Sequence, residues 1–178
     1  DNTLLGTDST STNPNDYSRN VCVRQYGKNV QVFSAMLEQN FKLGPVHWDN
    51  EVTYQKSSNQ RVLPLPQLNV YTNLYILFRV AKVLRVQLGG DMRYYTSYYA
   101  PDYSPSIGQF ATQDESFSRI KIGNYPIINV YANLHLKNCR IYVGVNHVNA
   151  GSGHAFWAPH YAINPLTFRF GLSWNFFN

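Results

Sequence analysis

Residues 166–178 read Leu166-Thr167-Phe168-Arg169-Phe170-Gly171-Leu172-Ser173-Trp174-Asn175-Phe176-Phe177-Asn178. The even positions through Phe176 are all large and apolar. The odd positions are Thr, Arg, Gly, Ser and Asn until Phe177. A strand sends successive side chains to opposite faces, so these residues predict a strand with one apolar and one polar face. Periodicity alone does not say whether the apolar face meets a second sheet or lipid. The breadth of that face in Phe and Trp, at a terminus that would fray in a soluble domain, favours lipid.

The same alternation runs back through the chain. Residues 30–43 place Phe33, Ala35, Leu37, Phe41 and Leu43 opposite Ser34, Glu38, Asn40 and Lys42. Gly44-Pro45 then marks a tight turn. Residues 46–55 set Val46, Trp48, Val52 and Tyr54 against His47, Asp49, Glu51 and Thr53, with Asn50 the one misfit on the apolar side. Further strands are predicted at 68–81, 84–96, 125–137, 140–147 and 166–177, with a weak first strand at 21–26. Residues 1–20, rich in Asn, Asp, Ser and Thr, read as a polar tail or loop, and residues 21–178 as one β domain. Long polar loops are expected at 97–123 and 148–164.

Composition narrows the class. Charged residues make up 14% of the chain, against roughly 25% in soluble domains. Aromatic residues are abundant, with 14 Tyr, 10 Phe and 3 Trp. No apolar run of about 18 residues occurs, so the chain has no predicted transmembrane helix. Its mildly negative mean hydropathy agrees with spanning strands, whose alternate residues are polar. The net charge of +5 is spread without a basic block, which argues against nucleic acid as a partner. Without a signal peptide, the chain reads as mature, as cut from something longer, or as never exported. Cys22 and Cys139 lack His neighbours at ligand spacing and are expected as free thiols, with no metal or cofactor.

Three regularities point to an all-β, antiparallel up-and-down transmembrane β-barrel. The clear strands run about ten to fourteen residues, tall enough to cross a bilayer at a tilt. Connections alternate between short and long, as in outer-membrane barrels. The phrase Asn69-Val70-Tyr71-Thr72-Asn73-Leu74 recurs as Asn129-Val130-Tyr131-Ala132-Asn133-Leu134, each copy opening a hairpin. About eight strands are counted, either a small complete barrel or part of a larger one. A sheet in hydrocarbon must close, because each unpaired backbone group there costs several kcal/mol.

With the strands placed, three phrases resemble the C-terminal region of the putative porin family of Bacteroidota outer membranes. They are Leu88-Gly89-Gly90-Asp91-Met92-Arg93-Tyr94-Tyr95-Thr96 continuing to Tyr98-Tyr99-Ala100-Pro101, then Ile107-Gly108-Gln109-Phe110, and Phe168-Arg169-Phe170-Gly171-Leu172-Ser173-Trp174-Asn175-Phe176. The similarity covers roughly residues 68–178, and members of that family are several times longer. The resemblance implies a single-chain barrel in the bacterial outer membrane, in contact with the lipid bilayer and lipopolysaccharide. It also implies that Phe168, Phe170, Leu172, Trp174 and Phe176 carry the signal read by the barrel-insertion machinery.

Candidate functional residues fall in two groups. His47, Asp49, Glu51, Arg79, Arg85, Asp91, Arg93, Arg140 and Arg169 are expected to face the lumen, its acids and bases paired across strands. Their excess of arginine predicts a mild anion preference if a pore exists. Tyr94, Tyr95, Tyr98, Tyr99 and Tyr103 suggest an interfacial girdle. Tyr99, Tyr103 and Trp157 are also the loop aromatics able to stack on a ligand such as a sugar. Ser152 with His154 or His160 could suggest a hydrolase, but the strand-to-helix elbow such a serine needs is missing, and no catalysis is expected. The expected function is a passive porin-like channel. The alternatives are a small closed barrel serving as anchor or partner scaffold, and a soluble sandwich or lectin-like module.

Overall fold

A computed structural model describes residues 3–8, 20–105, 107–113, 119–153 and 156–176, with only the backbone described for 3–8 and 20–24. His154 and Phe177, named above, lie outside the described residues. The main body is a seven-stranded antiparallel sheet. Its strands are β3 (Val32–Leu43), β4 (Val46–Ser57), β5 (Leu68–Val80), β6 (Leu84–Tyr95), β9 (Ile127–Leu136), β10 (Cys139–Asn146) and β13 (Thr167–Trp174). They pair in the order β13-β10-β9-β6-β5-β4-β3, so neighbours in the sheet follow one another along the chain.

Register keeps the two faces apart across all seven strands. One cross-strand row runs Phe41, Trp48, Leu74, Gly90, Val130, Val145 and Phe168. The next runs Leu43, Val46, Ile76, Leu88, Ala132, Val143 and Phe170. No charged residue enters either row. Because side chains alternate with period two, a one-residue slip of any strand would move residues of the polar face into them. Among the described residues no second layer packs on this face. Phe170 remains 64% exposed, Leu74 53% and Trp48 48%, whereas a sandwich core would bury all three.

Asn50, the polar residue on the apolar face, is satisfied locally. Trp48 Nε1 donates to Thr72 Oγ1 at 2.8 Å, and the Thr72 hydroxyl donates to Asn50 Oδ1 at 2.8 Å. Asn50 Nδ2 then donates to the Gln39 carbonyl at 3.4 Å.

The expected closed eight-stranded barrel is corrected in two respects. Among the described residues the main sheet has seven strands and stays open, with β3 and β13 at its edges. The predicted strand at 21–26 exists as β2 (Asn20–Gln25), but it pairs with β1 (Thr3–Asp8), inside the stretch read as a polar tail. The backbone before β3 shows why β2 does not join β3 in a hairpin. Gln31 N donates to Ser58 Oγ and Ser58 N donates to the Gln31 carbonyl, so this segment is held by the β4–β5 loop.

Short turns join β3 to β4, β5 to β6 and β9 to β10, so they share one end of the sheet. Ala81, Lys82 and Lys137 have positive φ there, the left-handed backbone that lets so short a link reverse the chain. The long connections share the other end and are not structureless. They hold the hairpins β7 (Asp102–Ser104) with β8 (Gln109–Ala111) and β11 (Phe156–Ala158) with β12 (Tyr161–Ala162), and a bridge between Tyr98 and Ile122. Most of the buried residues are at this end, including Ala100, Ala111, Ile122, Ala158 and Pro159.

Candidate functional site

All nine charged residues expected to face a lumen lie on the polar face of the sheet. His47, Asp49 and Glu51 alternate along β4, where Asp49 is paired with Asn73 and Glu51 with Tyr71. Arg79 stands directly opposite Arg85, and Arg140 directly opposite His135 and Ser173. Arg93 follows Tyr71 in the row that begins with Glu38 and Glu51, and its guanidinium lies 5.4 Å from the Tyr71 ring centre. Arg169 reaches Asn146: with the amide oxygen turned toward it, that oxygen accepts from Nε at 3.0 Å and Nη2 at 3.2 Å.

The expected pairing of acids with arginines across strands does not form. Among the described residues, no carboxylate of the sheet makes an ion pair with these arginines. Aromatic rings and amides take that place instead. The two copies of the repeat lie on β5 and β9, flanking β6, and their Asn and Tyr residues bridge that strand. Asn129 Nδ2 donates to Asp91 Oδ2 at 2.9 Å, and Asn133 Nδ2 donates to Gln87 Oε1 at 3.0 Å. Tyr131 passes over Gly89 and donates to Asn73 Oδ1 at 2.9 Å. His47 stacks on Tyr75 with ring centres 4.9 Å apart and planes 6° from parallel. These contacts make a hydrogen-bonded polar wall.

At the long-loop end the tyrosines divide. Tyr94 belongs to an apolar row beside Val70, while Tyr95 is opposite Asn69 on the polar face and donates to the Phe156 carbonyl at 3.2 Å. The run is therefore not a one-faced girdle. Burial holds the Tyr98 hydroxyl above the usual tyrosine range. One face of Tyr99 carries the Arg119 guanidinium at 4.2 Å, with Lys121 Nζ at 5.1 Å. Tyr103 meets Phe110 and Tyr161 edge-on. Of the three loop aromatics, Trp157 alone is largely exposed, at 62%.

Ser152 donates to the Asn149 carbonyl at 2.8 Å, whereas His160 Nδ1 lies 3.4 Å from Asp102 Oδ2, so the two do not form a nucleophile and base pair. The sequence reading missed the loop end's own polar centre. His147 is buried, its Nδ1 donates to the Asn164 carbonyl at 2.7 Å, and its Nε2 lies 2.9 Å from Tyr125 Oη. The Gln113 amide clamps a neighbouring segment, donating to the carbonyls of Ala100 and Ile120 and accepting from Ile120 N. Neither residue lies in a periodic stretch, so only their tertiary partners reveal them.

No curated protein and no solved structure matches the chain significantly. A sequence model does match, over residues 8–178, and it describes a putative porin. The match takes in nearly the whole chain and agrees with an all-β, up-and-down antiparallel sheet of segregated faces. By that match, the chain belongs to the putative porin family.

Proposed function

We propose that this chain is a membrane-spanning arc of an outer-membrane β-barrel that acts as a passive, porin-like channel, and that it performs no catalysis. One observation carries the reading: the two apolar rows that cross all seven strands hold no charge, and Trp48, Leu74, Phe168 and Phe170 in them stand about half exposed or more. β5 has 13 residues, roughly 43 Å of chain, which at a barrel's tilt covers a hydrocarbon core of about 30 Å. The polar face then lines the interior.

The edges support an arc of a larger barrel. β3 is exposed along its whole length, and a long unpaired edge is both an aggregation hazard and, in lipid, a row of unsatisfied backbone groups. Pairing of β3 and β13 with further strands removes both problems. On β13 and just beyond it, Phe168, Phe170, Leu172, Trp174 and Phe176 are all exposed beside a free edge. That arrangement suits recognition by insertion machinery through strand pairing, with lipid and lipopolysaccharide as the later surroundings. The test is the full-length gene product: outer-membrane fractionation, then single-channel conductance in planar bilayers. Stepwise conductance is expected; recovery as a detergent-free soluble monomer would refute the proposal.

A second reading rests on the packed loop end. The hydrogen-bonded network around buried His147, with Tyr125, Asn149 and Asn164, gives the long loops a defined shape, as a docking surface for a partner requires. A barrel that inserts without conducting would favour this anchor or scaffold role.

A further inference from the structure

We infer that the short-turn end of the polar face binds a phosphate-class oxyanion across the row Arg79, Arg85, His135 and Arg140. Register places these residues side by side on β5, β6, β9 and β10, the row ending at Ser173 on β13. Like charges directly opposite one another in a sheet are destabilising, and Arg79 and Arg85 are such a pair. The usual remedy is missing. Among the described residues none of the three arginines has an ion-pair partner, and the adjoining turns add Lys82 and Lys137 and no acid.

The first carboxylate along β6 is Asp91, six residues from Arg85 and so about 20 Å away. β5, β9, β10 and β13 contain none. The other end of the face is built differently, since Arg93 shares its row with Glu38 and Glu51. Cationic residues are thus concentrated where compensation is absent.

The row has the right chemistry for phosphate. Guanidinium forks bind phosphoryl oxygens in bidentate fashion and are always charged. A concavity of about 520 Å³ lies at the His135, Arg140 and Ser173 end of the row, its lining shared with Leu134, Ile141 and Leu172, while Arg79 and Arg85 stand outside it. Three strand spacings separate Arg79 from Arg140, about 14 Å. That span is wider than one phosphate and suits a molecule with two anionic groups, or one such group and a second contact at His135. The ligand is a soluble phosphate ester or the phosphate of a lipid headgroup. The inference goes beyond the channel reading, because the row exists on the sheet whether or not the barrel conducts.

The test uses full-length protein in a neutral detergent, titrated with inorganic phosphate against chloride at matched ionic strength. Phosphate is expected to raise the melting temperature of the wild type. In R79Q/R85Q the apparent Kd should weaken at least tenfold, while the charge-matched K28Q/K56Q stays within twofold of wild type. Without phosphate, R85Q should melt higher than wild type, as relief of repulsion requires. If R79Q/R85Q fails to fold, R140Q supplies the same readout, with at least threefold weakening expected. Phosphorus analysis of the purified protein separates the sources: phospholipid retained by the wild type and lost in the variant assigns a headgroup, and its absence from both assigns a soluble ester. Equal phosphate affinity in wild type and arginine variants, with equal phospholipid content, would overturn the proposal. A protein that binds phosphate but does not conduct would leave it standing.

Discussion

Tyr131 on β9 and Asn73 on β5 share a hydrogen bond of 2.9 Å although a whole strand, β6, lies between them. The bond exists because Gly89 on β6 has no side chain at the crossing point. A Cβ there would stand 2.6 Å from Tyr75 Cβ and 2.8 Å from Tyr131 Oη. The ring lies against the sheet and ties three strands together, an aromatic covering of glycine that helps set register. Gly89→Ala is therefore expected to destabilise the folded protein by about 1–3 kcal/mol through overpacking. Tyr131→Phe should cost about 0.5–1.5 kcal/mol for the lost hydrogen bond. Urea unfolding in detergent measures both, and a double mutant additive within error would deny the coupling between them.

The polar cluster on the apolar face makes a second prediction. Thr72 accepts from Trp48 and donates to Asn50, so Thr72→Val strands both partners on the face proposed to meet lipid. A loss of about 1–3 kcal/mol is expected. Adding Asn50→Leu should recover part of it, since the orphaned amide is then gone. Heat-dependent mobility of the folded band on gels, compared across the three proteins, reads the order of stability.

Charge placed on the two faces should have opposite consequences. Leu74→Arg puts a cation in the middle of an apolar row, at an expected cost of about 2–4 kcal/mol if that row lies at bilayer mid-depth. Asn73→Arg, one residue away, faces the polar wall beside Asp49 and Asp91; it forfeits the Tyr131 bond, about 0.5–1.5 kcal/mol, and should still insert better than Leu74→Arg. Comparable membrane yields from both variants would place the apolar face somewhere other than in lipid.

Tyr98 supplies a pH dependence. Its folded pKa is raised by burial, so its stabilising contribution is complete below the unfolded value of about 10 and is lost as pH rises through the folded value. The cross-link it makes with Ile122, through two backbone hydrogen bonds, should then loosen in strongly alkaline solution. Protease nicking in residues 97–123, followed from pH 9 upward, is expected to rise in the wild type and to be flatter in Tyr98→Phe. Identical profiles would remove Tyr98 from that transition.

Alternation along the chain was enough to place the seven main strands within a few residues, to assign each side chain to a face, and to separate short turns from long connections. A period of two is a local property, set by backbone geometry before any strand meets another. Trp48 and Asp49 were bound for opposite faces whatever their partners.

Pairing is not local, and there the tertiary structure decided. Residues 21–26 have the composition of a strand, but nothing in their period says that β1 and not β3 is the neighbour; the capture of Gln31 by Ser58 settles it. The placement of Arg79 beside Arg85, the ring of Tyr131 over Gly89, and the burial of His147 depend on register between distant segments. So does the open edge of the sheet. Faces follow from the backbone of a single strand, whereas neighbours follow from which hydrogen-bonding edges meet in space.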